Sequence, residues 1–362
     1  MSGLSWILAF AGFAFLVIAH ELGHFTVAKL VGMRVEKFSL FFPPTLASVK
    51  RGETEYAIGA IPAGGYVKIS GMNPDEDLPE EVRDRAYHAQ PVWKRIAVIA
   101  AGPAVNLVLA FILLFVFFAF VGAEGPSTDK VQVTEKGYPA SAALKPGDRI
   151  VSVDGVRGGP VKLSPQIARH KCAGTPEKGC RAATPAELVV ERGGKRREIA
   201  VRPIYDPAQK RTRLGFAFAP GPDVTLPPGE ALTTSLDRFW FVTKQTVALP
   251  ARLFDAQQRK EISGIVGSYE VTRQTILVDF SQVVAILALI SLSLAIINLF
   301  PFLPLDGGHI FWAIVEKVRG KPVPLAVMER AGVVGMVLVL GLFVLGLSND
   351  IDRLTGEGFQ VR

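Results

Sequence analysis

The segment VIAHELGHF, residues 17–25, places two histidines and a glutamate within a long apolar stretch. The fourteen residues 6–19 carry no charge, so the surrounding segment has the composition of a membrane-spanning helix. An unpaired ionisable side chain inside such a helix costs roughly 3 kcal/mol or more. We therefore expect a partner that compensates His20, Glu21 and His24.

The spacing of these three residues favours a divalent metal as that partner. His20 and His24 are four residues apart, so a helix places both imidazoles on one face, with Glu21 beside them. This is the H-E-x-x-H arrangement, in which two histidines bind Zn²⁺ and the glutamate is the general base for an attacking water. The alternative is a pair of hydrogen-bonded histidines in a helical core.

A catalytic zinc site needs a third protein ligand. None of the remaining histidines is a convincing one: His88, His170 and His309. The better candidate is Asp306 in NLFPFLPLDGGH, residues 298–309, where two prolines prevent regular helix and a carboxylate in an apolar stretch requires a cation. The alternative for Asp306 is an Asp-Gly turn at the membrane surface. Asn298 is a candidate hydrogen-bond donor to substrate, or else a polar contact between helices.

The composition of the chain indicates several membrane spans combined with a water-soluble module. The 362 residues are 49% hydrophobic, and the mean hydropathy is +0.32. The net charge of +7 is scattered along the chain, which argues against nucleic-acid binding. Four apolar segments have the length of about 20 residues that a bilayer requires; they are residues 4–31, 97–123, 277–300 and 325–347.

The polar regions between these segments differ in character. Alternating apolar and polar residues predict β-hairpins against the membrane after the first span, and a strand-rich soluble domain after the second. The predicted division is 1–31 (first span), 32–96 (hairpins and charged loop), 97–123 (second span), 126–220 (soluble domain), 221–276 (amphipathic juxtamembrane helices), 277–308 (third span), 325–347 (fourth span) and 348–362 (tail).

Lysine and arginine set the expected orientation. Residues 32–96 contain nine of them, and the loop between the third and fourth spans adds Lys317, Arg319 and Lys321. Because cytoplasmic loops carry the positive excess, both of these regions are expected inside, with the termini and residues 124–276 outside. In an external compartment, Cys172 and Cys180 are expected to form a loop disulfide, the alternative being two unlinked thiols.

Several of these motifs together resemble the site-2 protease family of intramembrane zinc metalloproteases, in particular its regulator of sigma-E protease group. The resemblance covers nearly the whole chain. It is carried by HELGH (20–24), GAIPAGGYVKI (59–69), AGPAVN (101–106), PASAALKPGDRIVSVDG (139–155) and NLFPFLPLDGGH (298–309). It implies one Zn²⁺ held by His20, His24 and Asp306, Glu21 as the catalytic base, and Asn298 as a substrate contact.

Two further regions are expected to meet peptide. The segment 59–69 offers an edge strand for an extended substrate, with Gly64 and Gly65 allowing close backbone approach next to Tyr66; the alternative is a hairpin that merely anchors the fold. The external module resembles a PDZ domain, and RLGFAFAP, residues 213–220, is its candidate carboxylate-binding loop or else a plain edge strand. Enteric members of the group carry two such domains, whereas this chain has room for one.

The resulting fold prediction is a membrane α-helical bundle of about four transmembrane helices, with a membrane-associated β-hairpin region and one external PDZ-like α+β domain. The resemblance implies intramembrane proteolysis of single-span proteins, such as anti-sigma factors and remnant signal peptides. The expected place is the bacterial inner membrane, with the active site toward the cytoplasmic leaflet. The alternatives are a catalytically inactive PDZ-bearing scaffold and a metal transporter.

Overall fold

The computed structural model of the chain describes residues 2–73, 76–207, 209–260, 262–278 and 280–355. They form two compact units, Met1–Val121 with Leu226–Arg362 and Gly122–Thr225. The helices are α1 (Ser2–Leu30), α2 (Glu80–Arg83), α3 (Val92–Val116), α4 (Ala140–Ala143), α5 (Pro160–Arg169), α6 (Pro228–Val247), α7 (Leu249–Arg252), α8 (Ala256–Arg259), α9 (Ile265–Val278), α10 (Val283–Asn298), α11 (Asp306–Arg319) and α12 (Leu325–Thr355). The strands are β1 (Val35–Arg51), β2 (Thr54–Ile69), β3 (Val131–Thr134), β4 (Arg149–Val153), β5 (Val156–Arg157), β6 (Ala186–Arg192), β7 (Lys195–Val201), β8 (Ile204–Asp206), β9 (Arg211–Arg213) and β10 (Phe216–Phe218).

Three segments of the described chain are long and apolar enough to cross a membrane: Leu4–Leu30, Val92–Val121 and Ala326–Thr355. They correspond to the predicted first, second and fourth spans. Within the predicted third span, 277–300, the described residues form a shorter apolar helix. The apolar helix there, α10, has 16 residues, about 24 Å of rise, which is less than the roughly 30 Å of a bilayer core. It ends at Asn298, shortly before the prolines at 301 and 304 that cannot continue it.

The last helix is longer than the apolar pattern predicts. We expected a tail from residue 348, but α12 continues to Thr355. Its polar end is held by Asp350, which is fully buried and accepts hydrogen bonds from the backbone N–H groups of Gly264 (3.1 Å) and Gly267 (2.7 Å) at the start of α9. Hydropathy does not register such an anchor, because it depends on a distant helix N-terminus.

Strands β1 and β2, between the first two long helices, form one folded hairpin. Residues 37–40 of β1 pair with 65–68 of β2 on one side and with 55–58 on the other. The hairpin bends at Phe41, where φ is +73°. Within the described residues, the strand segment 65–69 therefore pairs on one edge only. Buried side chains of α1, the hairpin, α3 and the loops that join them form one core: Ala28, Met33, Val35, Ile69, Tyr87, Val98 and Ile99.

Helix α3 is the centre of the first unit, since it packs against α1, α6, α10 and α11. Helix α6 lies in the region where we expected amphipathic helices on the outer membrane surface. The structure packs its Phe239 and Val242 against Ala110 of α3 and Leu292 of α10. This part of the apolar face of α6 thus packs on other helices, whereas Leu232, Leu236 and Phe241 of the same helix are exposed. Helical spacing alone does not distinguish the two kinds of apolar position.

The second unit is a strand-rich module with its own core. Its main sheet has the order β5-β4-β6-β7, and the pairs β3–β10 and β8–β9 complete it. Twelve buried residues from the strands, α4, α5 and adjoining loops form the core, including Ile150, Leu163, Leu188 and Leu214. Cys172 and Cys180 are bonded to each other, as we expected from their spacing.

Candidate metal centre

Three ligand-type side chains from two distant parts of the chain converge in the first unit. His20 and His24 extend from α1, and Asp306 is the first residue of α11. The Oδ2 atom of Asp306 lies 3.1 Å from Nε2 of His20 and 3.4 Å from Nε2 of His24. The two Nε2 atoms are 3.1 Å apart.

These distances fit a tetrahedral metal site. Ligand atoms placed 2.0–2.2 Å from a common zinc ion at tetrahedral angles are about 3.4 Å from one another. Asp306 Oδ2 is also buried without a hydrogen-bond partner in the described part of the chain. When both imidazoles carry their hydrogen on Nδ1, as His24 does toward Val98, the three facing atoms all bear lone pairs and repel one another unless a cation lies between them. This donor set then suits a divalent ion.

Helix α3 contacts the opposite side of both imidazole rings. Nδ1 of His24 donates a hydrogen bond to the carbonyl oxygen of Val98 at 2.9 Å, and Nδ1 of His20 lies 3.4 Å from the amide nitrogen of Asn106. Between them is Gly102, where a Cβ atom would lie only 2.8 Å from Nε2 of His20. The three α3 positions are spaced by four residues and so face the two histidines, which are also four residues apart.

Sequence reasoning missed this set of α3 residues. The motif AGPAVN contains Gly102 and Asn106, but it contributed only to the family resemblance. The available signal was the Gly-x-x-x-Asn spacing, which places both residues on one helix face.

The turn before α11 brings Asp306 to the histidines. Cβ atoms at Gly307 and Gly308 would collide with the backbone of residues 299–303, so this turn folds closely onto the end of α10. A Cβ atom at Gly335 of α12 would likewise collide with the carbonyl oxygen of Leu303. The glycines of the LDGG motif are therefore required by packing, and the carboxylate position follows from it.

A cavity of about 430 Å³ opens beside the three ligand-type residues. Its lining contains every other predicted site residue of the first unit. The lining residues are Val17, His20, Glu21, His24, Phe42, Gly64, Gly65, Tyr66, Val67, Ile69, Met72, Ile99, Leu294, Asn298, Pro304, Asp306 and His309. His309, which the sequence analysis did not select as a ligand, lines this cavity but is not one of the three converging ligand-type residues.

The edge strand lies directly against Glu21. A Cβ atom at Gly65 would be 2.9 Å from Cγ of Glu21, so only glycine leaves that carboxylate in place. The ring of Tyr66 stacks on Phe42, with centroids 6.1 Å apart and planes 6° from parallel. The unpaired strand edge, the glutamate and the three ligand-type atoms thus border one space.

A partly buried ion pair joins α3 to the helix that carries Asp306. The guanidinium of Arg95, a residue only 8% exposed, donates to both carboxylate oxygens of Glu316 in α11, at 3.0 and 2.6 Å. Nearby, burial raises the pKa of Tyr87 to about 12. The pair fixes α11 to the same helix that contacts both histidines.

The remaining candidates lie elsewhere. Nδ1 of His88 lies 2.9 Å from the carbonyl oxygen of Gly71. In the second unit, Nδ1 of His170 lies 2.8 Å from the hydroxyl of Thr184, and its Nε2 lies 2.8 Å from Oδ2 of Asp154. The segment 213–220 contains β10, which pairs with β3 and borders a second cavity of about 910 Å³ alongside α5.

Comparison with known proteins agrees with this site. The profile of peptidase family M50 matches residues 8–342. A Nostoc sp. protein named "Putative zinc metalloprotease" is 31% identical over 364 residues, which cover 98% of each chain. A protein with the same designation from Synechocystis sp. is 31% identical, and the match covers 98% of this chain and 96% of the relative. Another from Agrobacterium fabrum is 30% identical, and the match covers 94% of each chain. The similarity therefore extends through both units.

Proposed function

This chain belongs to peptidase family M50, and from that membership and the cavity geometry we propose that it is an intramembrane zinc metalloprotease acting on single-span membrane proteins. The membership confirms the predicted family and the predicted metalloprotease class. Three helices long enough to span a bilayer agree with a membrane protein.

The observation that carries the proposal is the convergence of His20, His24 and Asp306, whose ligand atoms all lie within 4.8 Å of one another. Glu21 borders the same cavity. We assign the first three as zinc ligands and Glu21 as the general base. A zinc ion in this position supplies Lewis acidity, which makes water nucleophilic near neutral pH and polarises a carbonyl group.

The protein residues account for the proton transfers of peptide hydrolysis. Glu21 accepts the proton of the attacking water and then delivers it to the nitrogen of the leaving amine. Asn298 lines the cavity and is assigned to hydrogen-bond the substrate backbone. Gly65 keeps the strand edge close to Glu21, so an extended peptide bound there lies within reach of the base.

The substrate must be extended before it is cleaved, because a helix hides its amides in internal hydrogen bonds. The one-sided pairing of residues 65–69 leaves a strand edge on which such a segment adds by backbone hydrogen bonds. Gly64, Gly65 and Tyr66 are the proposed contacts. The family resemblance points to anti-sigma factors and remnant signal peptides as the kind of substrate.

The second unit is proposed to be the external, PDZ-like module. Its 910 Å³ cavity has apolar walls from α5 and β10 and a basic rim that includes Arg169, Lys171 and Arg211. Such a groove suits an extended peptide with a terminal carboxylate. The excess of lysine and arginine in residues 32–96 supports placing that region in the cytoplasm and the module outside a bacterial inner membrane.

The test is cleavage of a model single-span substrate by the detergent-solubilised protein, with Glu21→Gln and with a zinc chelator. Loss of the base should lower the rate by at least about 100-fold, and chelation should abolish cleavage until zinc is restored. Zinc content of the glutamine variant is the control, since it should match the wild type.

The two alternatives give different results in the same assay. A scaffold would show no cleavage by the wild-type protein with any single-span substrate. A transporter would move metal into vesicles equally well with glutamine at position 21. Cleavage that persists in the Glu21→Gln protein would contradict the proposed mechanism.

A further inference from the structure

Asn106 is a fully buried amide with an unusual environment. It lies on α3 with no exposed surface, and its Nδ2 atom is 3.4 Å from Nδ1 of His20. Its Oδ1 atom is buried and has no hydrogen-bond donor among the described residues. The amide oxygen and nitrogen exchange places when the group turns by 180°, and only the hydrogen-bond network decides between the two orientations.

A metal ion held by His20 and His24 would decide this orientation. A histidine that binds a metal through Nε2 must carry its hydrogen on Nδ1, and that hydrogen needs an acceptor. His24 already satisfies this rule, because its Nδ1 donates to the carbonyl oxygen of Val98 at 2.9 Å. Among the described residues, His20 has the equivalent acceptor only when Oδ1 of Asn106 faces it.

The backbone around Asn106 is held independently of its side chain. Ser291 of α10, which is also fully buried, donates from its hydroxyl to the carbonyl oxygen of Asn106 at 2.9 Å. One turn away, Gly102 leaves room for both imidazoles. The amide is therefore presented to His20 by α3, whose backbone at this position is held by α10, and it has little freedom to move away.

We propose that Asn106 is a positioning residue whose side-chain carbonyl accepts the Nδ1 hydrogen of His20 and so directs Nε2 toward the metal. Val98 and Asn106, eight residues apart on α3, then each supply a carbonyl oxygen that accepts the Nδ1 hydrogen of one histidine of α1. The inference rests on the proposed zinc site, and it assigns to α3 the task of fixing the tautomer of both ligands.

The test measures zinc affinity with the full chain in detergent, stripped of metal and titrated with Zn²⁺ against a chromogenic chelator. Asn106→Leu keeps the approximate volume but has no acceptor, and its zinc affinity should fall 10- to 100-fold. Asn106→Asp offers only acceptors, and its affinity should stay within about threefold of the wild type. Ser235→Ala, the control, removes a fully buried hydroxyl hydrogen bond from α6, a helix with no residue in the cavity lining, and should bind zinc like the wild type.

A packing role for Asn106 predicts the opposite order. An apolar leucine would then be tolerated, and an aspartate buried between helices would be the harmful change. The visible spectrum of the Co²⁺-loaded protein gives a second readout, since disturbed ligand geometry in the leucine variant should alter its bands while the aspartate variant retains them. If the leucine variant does not fold, Asn106→Ala removes the acceptor without adding volume and is judged by the same thresholds.

The outcomes separate this inference from the proposed function. A wild-type protein without measurable zinc binding would overturn the metal site itself. A wild-type protein that binds zinc, with leucine or alanine at position 106 binding it equally well, would overturn only the role of Asn106. Weaker binding by the aspartate variant than by the leucine variant would do the same.

Discussion

At the scale of single residues, the site depends on glycines that leave space for the side chains opposite them. Gly102 contributes no side chain, yet any Cβ there would reach His20 and His24. Gly65 has the same relation to Glu21. The chemistry therefore rests as much on residues that leave space as on those that carry charge.

A residue outside the membrane-spanning segments illustrates how charge stabilises the same unit. Glu53, in the turn between β1 and β2, accepts hydrogen bonds from Lys29 at 2.6 Å and from both terminal nitrogens of Arg85 at 2.7 and 2.8 Å. The Arg85 contacts, followed by that of Lys29, lower the pKa of Glu53 to about 2. The carboxylate thus joins the end of α1, the hairpin turn and the loop after α2.

We expect Glu53→Gln to reduce stability by about 1 kcal/mol at pH 7, because the side chain is partly exposed and solvent screens the pair. A lowered folded-state pKa stabilises the protein above the unfolded value of about 4.5 and loses that effect as the pH falls toward about 2. The difference in melting temperature between wild type and variant should therefore shrink between pH 4.5 and 2. A difference that stays constant over this range would contradict the assignment.

At the scale of secondary-structure elements, α3 organises the site. It contacts α1 through Val98 and Asn106 and holds α11 through the Arg95–Glu316 pair. The ligands from the two ends of the chain thus share one reference helix. Movement of α11 relative to α3 would displace Asp306 from the histidines.

Removing one partner of the Arg95–Glu316 pair should be costly. Glu316→Leu leaves a buried guanidinium without its carboxylate, and we expect a loss of roughly 3 kcal/mol in stability together with weaker zinc binding. The double variant Arg95→Leu with Glu316→Leu removes both charges and should recover most of that stability. Thermal unfolding in detergent measures both effects, and a double variant no more stable than the single one would show that the pair acts differently.

At the scale of the whole molecule, the chain leaves the first unit after Val121 and returns to it at Leu226. The ends of the inserted unit are paired, since Ala123 and Val224 exchange backbone hydrogen bonds of 3.2 and 2.9 Å. A module with adjacent ends, its own core and a disulfide has what an independent domain requires.

We therefore expect the isolated segment 122–225 to fold by itself under oxidising conditions. It should unfold in one cooperative transition, as followed by circular dichroism, and its exchange-protected amides should lie in β4, β6 and β7. Reduction of the Cys172–Cys180 bond should lower its midpoint, because the bond limits the unfolded chain. A fragment without a transition would show that the module needs the rest of the chain.

The sequence by itself determined the membrane character, the ligand-type residues and the family. Those features follow from local patterns: an H-E-x-x-H spacing fixes two side chains on one helix face, and prolines near Asp306 interrupt a helix wherever they occur. A distinctive motif of this kind predicts metal-binding residues from the sequence alone, without knowledge of the residues that pack around it.

Only the tertiary structure decided the length of α10, the anchored end of α12 and the packing of α6 against other helices. It also decided the contacts of α3 with the Nδ1 atoms of both histidines. Each of these depends on contacts between residues far apart in the chain, such as Asp350 with Gly264 or Asn106 with His20. Hydropathy and spacing describe one segment at a time, whereas a buried polar atom is explained by the partner that packing brings to it.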